Sequence, residues 1–174
     1  MNSGINGVEI KELKSWPDDR GFFREIVRVT DPFFGQGAFG QWSHSKMVKD
    51  VVKAWHYHHI QTDWWYLAVG AARMVLWDMR ESSPSKGKVF EQVIGDSATL
   101  GTAQLCVKIP PGVAHGLRVL SDEAHLFYIT SHIYNPNDEG RMPFNDPRSP
   151  FNFGPGAIIA PNDMRTFVPT AKAP

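Results

Sequence analysis

His56-Tyr57-His58-His59-Ile60-Gln61-Thr62-Asp63, with Gly70 beyond it, and Pro110-Pro111-Gly112-Val113-Ala114-His115 are the stretches that decide this chain's fold. On an extended strand alternate side chains share a face, so His56 and His58 point the same way. Asp63, after four intervening residues, can close over them. A Pro-x-Gly-x-x-His turn then brings a third imidazole, His115, from far along the chain. Around both stretches apolar residues alternate with period two from Gly21 to about Tyr134, broken by Gly, Pro, Asn and Asp. Met74 to Met79, Gln104 to Ile109 and Ala124 to His132 are examples. Helical periodicity is nearly absent. Phe33 to Phe39 is the one candidate, and Gly35 and Gly37 weaken it.

Short strands with frequent turns argue for an all-β sandwich or barrel rather than an α/β fold. The spacings His-x-His-x4-Asp-x6-Gly and Pro-x-Gly-x2-His resemble the two signature motifs of the cupin superfamily. That resemblance implies an antiparallel β-barrel of jelly-roll type, with chemistry in its mouth. The leading glycine of each motif is absent here. After Asn145 the chain turns rich in Pro, Gly and Asn and reads as an extended wrap over the barrel. The 174 residues are expected to form a single domain, 1–174, with its core at about 18–147 and a C-terminal extension at 148–174.

Lysine plus arginine and aspartate plus glutamate balance at 18 each, and the pI is near 7.1. No basic field attracts nucleic acid or anionic lipid, so a small molecule is the expected partner, with no nucleic acid and no membrane. The single cysteine, Cys106, sits in the apolar run Leu105-Cys106-Val107 and reads as packing. The opening residues lack the order of a secretory signal, and no apolar run is long enough for a bilayer. A cytoplasmic protein is expected. Trp64-Trp65-Tyr66 reads as a strand with one indole in the core and the next toward a subunit contact, stacking on a planar ligand being the alternative. His59 should face away from His58, His44 lies near Gln41 within reach of a phosphate, and His125 reads as solvated.

A closer likeness runs through Asp19-Arg20-Gly21-Phe22-Phe23-Arg24-Glu25, Gln41-Trp42-Ser43-His44, Lys53-Ala54-Trp55-His56-Tyr57 and Asp78-Met79-Arg80-Glu81-Ser82-Ser83-Pro84. It continues through Ile109-Pro110-Pro111-Gly112-Val113-Ala114-His115-Gly116, Tyr128, Tyr134-Asn135-Pro136, Glu139 and Asn145-Asp146-Pro147. In this order the segments resemble the dTDP-4-dehydrorhamnose 3,5-epimerase family, cupins that act on dTDP-4-keto-6-deoxy sugars. The resemblance implies an isomerase of deoxysugar biosynthesis that needs no cofactor and works as a homodimer.

A C4 ketone acidifies the neighbouring C–H, so the reaction needs a base at that carbon, a group to hold the enolate and an acid on the opposite face. By the resemblance His56 is the base, Tyr128 the proton donor, and Asp163 the carboxylate that orients His56. Nucleotide-sugar binding falls to Arg20, Phe23, Glu25, Gln41, Lys53, His115, Tyr134 and Glu139. Strand alternation places Tyr128, Thr130, His132 and Tyr134 on one face, read as lumen, and Phe127, Ile129 and Ile133 on the other, read as core.

Where the family reads His-Tyr-Gln and Gln-x-Lys, this chain reads His56-Tyr57-His58 and Gln61-Thr62-Asp63. Single epimerisation or ketone migration is therefore as consistent with the residues as double inversion. The same substitutions give His56, His58, Asp63 and His115 the ligand types of a site for one divalent metal ion, as in a metal-dependent isomerase or dioxygenase. A non-catalytic nucleotide-sugar-binding module is the third reading.

Overall fold

Asp63, Trp65 and Leu67 lean to one side of their strand and Trp64 and Tyr66 to the other, the pattern of a strand covered on both faces. Such segments dominate the computed structural model, which describes residues 1–35 and 39–158. In chain order they are β1 Glu9–Glu12, β2 Ser15–Asp18, β3 Gly21–Arg24, β4 Gln41–Val48, β5 Val52–His58 and β6 Asp63–Val69. They continue as β7 Ala71–Asp78, β8 Val89–Gly95, β9 Leu105–Ile109, β10 Val113–Val119, β11 Glu123–Thr130 and β12 Glu139–Arg141. Among the described residues a single 3₁₀ turn, Ala98–Leu100, is the only helical piece. The segment considered for helix is a turn around Phe33 and Phe34, and its residues 36–38 lie outside the described ones. No helix of the described residues is long and apolar enough to cross a membrane.

The strands form two antiparallel five-stranded sheets, ordered β1-β9-β6-β11-β4 and β12-β5-β10-β7-β8, and a separate hairpin β2-β3. The expected all-β jelly roll is what the chain adopts. Between the sheets lies a core that includes Trp65, Leu67, Met74, Leu76, Val107, Leu117 and Leu126. Each fully buried side chain of this size contributes about 2 kcal/mol of apolar burial. Met142, Phe151 and Phe153 pack on the outer face of the second sheet, against Val52, Trp55 and Val75, and Trp55 Nε1 donates to Ser149 Oγ at 3.0 Å. The wrap expected after Asn145 is thus in place as far as Ile158. The rest of the 148–174 extension, Asp163 included, lies outside the described residues.

The reading of Phe127, Ile129 and Ile133 as core is corrected, and Ile133 is exposed. On β11 it is Ala124, Leu126 and Tyr128 that turn into the inter-sheet core. Ile129 belongs to an outer cluster with Trp64, Cys106 and Phe34, while Phe127 stacks on His44 at a centroid distance of 4.3 Å. Both faces of this sheet carry apolar cover, so alternation identified two sides without saying which was the inside.

Candidate active site

Register gathers the site at one end of the sandwich. Asp63 opens β6 opposite Thr130, the last residue of β11, and Thr130 lies opposite Gln41, the first of β4. On the second sheet His115 of β10 faces His56 of β5, and His58 pairs with Glu139 of β12. A cavity of about 300 Å³ opens there, and its lining includes Gln41, Lys53, His56, His58, Asp63, His115, Tyr128, Tyr134 and Glu139.

The three imidazoles converge, with one nitrogen of each lying within 4.8 Å of the others. His115 Nδ1 is 3.1 Å from the Val113 carbonyl, which assigns its proton there and leaves Nε2 as an acceptor. That Nε2 lies 3.3 Å from His56 Nδ1. His56 Nε2 sits 3.0 Å from Glu139 Oε1, a charge contact rather than an aligned hydrogen bond. His58 Nδ1 lies 3.5 Å from Asp138 Oδ2, and its Nε2 is 3.1 Å from the Gln61 amide nitrogen. That amide also donates to Asp63 Oδ1 at 2.8 Å, while Trp65 Nε1 donates to Asp63 Oδ2 at 3.2 Å.

Burial sets the electrostatics. It lowers the proton affinity of His115 well below the ordinary histidine value, reinforced by the nearby His56 and His58. Burial also lowers His58, against the pull of Asp63. The same desolvation raises Asp63, although His58 and the Gln61 hydrogen bond oppose it. Glu139 goes the other way: its contact with His56, helped by Arg141, outweighs burial and holds its carboxyl at about 2. Glu139 therefore stays ionised beside His56.

Tyr128 and Thr130 reach the cavity from β11, as the lumen reading expected, and the exposed Tyr134 stands at its rim, where its N–H donates to Gln41 Oε1 at 3.2 Å. Lys53 enters from β5 and donates to Ser45 Oγ at 2.8 Å. Arg20, Phe23 and Glu25 are not brought to this chain's cavity. They lie on or just after the β2-β3 hairpin, where Arg20 is 84% exposed and pairs with Asp18, while Glu25 pairs with Arg28. His44 sits on the outer face, stacked with Phe127 and His125, and does not line the cavity, so the expectation that it reaches a phosphate is not supported. His125 is only partly exposed, between His44 and Glu123. His59 does turn outward. Trp65 joins the core, but Trp64 is covered by the chain's own Phe34 and donates to the Phe33 carbonyl at 3.1 Å, so it offers no subunit contact.

Gln61, which bridges His58 and Asp63, was not assigned to the site, and Asp138 and Arg141 were missed as well. Asp138 is buried, and its carboxylate accepts the backbone N–H of His59, Ile60 and Gln61 at 2.8–3.1 Å, fixing the turn between β5 and β6. Its Asn-rich surroundings read as an ordinary turn, and nothing in the sequence pairs it with residue 60. Arg141 lines the cavity and pairs with Glu139; their spacing of two on one strand was the available signal.

Comparison with known proteins agrees with this geometry. The model of the family described as dTDP-4-dehydrorhamnose 3,5-epimerase matches residues 2–168. The spore coat polysaccharide biosynthesis protein SpsL of Bacillus subtilis (strain 168) is 41% identical over 152 residues, covering 86% of this chain and 96% of that protein. The dTDP-4-dehydrorhamnose 3,5-epimerase of Escherichia coli (strain K12) is 32% identical over 175 residues, covering 96% and 92%. Among solved structures, the epimerase RmlC of Legionella pneumophila in complex with dTDP-4-keto-L-rhamnose superposes with a TM-score of 0.80 at 27% identity. That match covers 94% of this chain and 88% of the other.

Proposed function

This chain belongs to the dTDP-4-dehydrorhamnose 3,5-epimerase family, and from that premise we propose how its cavity performs a dTDP-sugar epimerisation in deoxysugar biosynthesis. The substrate is a dTDP-4-keto-6-deoxy sugar. His56 takes the proton from a carbon beside the C4 ketone, and the electron pair of that C–H bond moves onto the ketone oxygen. Tyr128 gives its phenolic proton to the opposite face, and the enolate pair returns to form the new C–H bond. The His56 imidazolium then releases its proton to solvent and the Tyr128 phenolate takes one up, which restores both groups. Glu139, ionised at all working pH, compensates the imidazolium while it exists. Asp63 is the residue least expected beside an enolate; burial raises its proton affinity, and Gln61 and Trp65 hydrogen-bond its two oxygens.

The observation that carries this reading is the contact of His56 with Glu139 and His115 in a cavity that Tyr128 shares. A cavity of about 300 Å³ holds the keto-sugar, at the small end for ligand sites, so the nucleotide extends beyond it. A homodimer supplies the remainder. Arg20, Phe23 and Glu25 do not line this cavity, and Trp16, Phe22 and Phe23 on the same hairpin are exposed, which suits a hairpin that closes a second copy's site. The reaction draws on side chains alone, with no cofactor, in the cytoplasm where sugar nucleotides are made. Mass spectrometry of a dTDP-4-keto-6-deoxy sugar incubated with the protein in heavy water tests the proposal. Incorporation at C3, at C5 or at both distinguishes single from double epimerisation, and no incorporation contradicts it.

A further inference from the structure

Each of the three histidines turns one ring nitrogen toward an outer oxygen and the other toward the centre, and for His115 the outer contact is a hydrogen bond. His115 directs Nδ1–H at the Val113 carbonyl, His56 directs Nε2 at the Glu139 carboxylate, and His58 directs Nδ1 at the Asp138 carboxylate. What remains facing the centre is His115 Nε2, His56 Nδ1 and His58 Nε2, each of which offers a lone pair to an ion once the proton shared between His56 and His115 is lost. An imidazole anchored through its far nitrogen to a carbonyl or carboxylate is the arrangement that orients metal-ligating histidines. Asp63 adds a fourth donor, with Oδ1 3.9 Å from His58 Nε2 and Oδ2 3.8 Å from His115 Nε2.

The spacing is metric as well as chemical. Ligand bonds of about 2.1 Å in a tetrahedral site put neighbouring donor atoms roughly 3.4 Å apart. His115 Nε2 and His56 Nδ1 already stand at 3.3 Å. The two distances to Asp63 exceed that edge, and the three imidazole nitrogens converge only to within 4.8 Å of one another, so an ion would draw His58 and Asp63 inward. Between His58 and Asp63 the amide of Gln61 donates to both, filling by hydrogen bonds the place an ion would take.

We propose that His56, His58, His115 and Asp63 form a binding site for one divalent transition ion of the zinc, cobalt or nickel class, and that its occupancy silences the epimerase. Three imidazoles and one carboxylate suit that class and disfavour magnesium or calcium, which take oxygen ligands. The ion takes the His56 lone pair that the proton transfer requires. The same residue cannot serve both, so the metal acts as an inhibitor and not as a cofactor. This inference goes beyond the epimerase reading, which the activity of chelator-treated protein tests separately.

Titration of the chelator-treated full chain with cobalt(II) is the test. One equivalent should raise the intense visible absorption of a four-coordinate ion, zinc should displace it, and the metal-loaded protein should lose deuterium exchange that a chelator restores. Asp63→Asn and His58→Gln should each weaken cobalt binding about tenfold or more, in line with the sensitivity of metal sites to their supporting residues. Should a variant fail to fold, anomalous scattering from zinc-soaked wild-type crystals gives the same answer, with a peak expected among the four side chains. No absorption band and no peak there would overturn the site. Exchange that survives metal loading, or that requires the metal, would overturn the inhibitory role.

Discussion

His56 on β5 and His115 on β10 stand directly opposite one another, with Nδ1 of the first 3.3 Å from Nε2 of the second. Because His115 commits its own proton to the Val113 carbonyl, its Nε2 can only accept. An imidazolium at His56 therefore meets an acceptor on one nitrogen and the Glu139 carboxylate near the other. With His56 in the proposed role of base, these neighbours suit the imidazolium that follows proton abstraction better than the neutral ring before it.

Glu139→Gln removes the charge that compensates this imidazolium. The expected loss in turnover is about 10²-fold, within the usual span for acid–base partners. The same variant has a signature in stability. In the folded state Glu139 is held at about 2, below its ordinary 4.5, so the unfolded chain binds more protons between those values. Its contribution is complete above about pH 4.5 and drains away as pH falls towards 2. Acid unfolding followed by circular dichroism should be less steep over that window in Glu139→Gln than in the wild type.

Asp138→Ala leaves the N–H groups of His59, Ile60 and Gln61 without their carboxylate acceptor. A loss of about 3 kcal/mol in urea unfolding is expected, with Asp138→Asn losing less because one acceptor oxygen remains. An unchanged midpoint in the alanine variant would contradict the role assigned to this clamp.

Gly140→Ala places a Cβ about 2.1 Å from the Tyr57 ring, directly across the β12-β5 pairing. Strand β12 must then shift, at a cost of about 2 kcal/mol, and it carries Glu139 and Arg141 with it. Activity should fall further than stability does, because the chemistry depends on sub-ångström placement of Glu139. Parallel losses of both would argue that β12 is only structural.

Much of the site was legible because a strand has a period of two. That rule placed His56 beside His58 and Tyr128 beside Thr130, and the Pro-x-Gly-x-x-His turn delivered His115. What local pattern could not supply was contact at long range. Asp138 meets the turn after His58 only once β12 pairs with β5, and Trp64 finds its cover in a segment far earlier in the chain. Arg20, Phe23 and Glu25 show a further boundary: the motif grouped them with the site by resemblance, and the fold places them on or after the β2-β3 hairpin, away from the cavity.

The central claim is that His56 removes a proton beside a ketone and Tyr128 returns one to the opposite face. Mass-spectrometric exchange in heavy water, run on a dTDP-4-keto-6-deoxy sugar with wild type, His56→Asn and Tyr128→Phe, addresses it most directly. The account predicts exchange with inversion in the wild type, a 10²–10⁴-fold loss of exchange in His56→Asn, and exchange without inversion in Tyr128→Phe. Undiminished exchange in a folded His56→Asn, or full inversion in Tyr128→Phe, would contradict it.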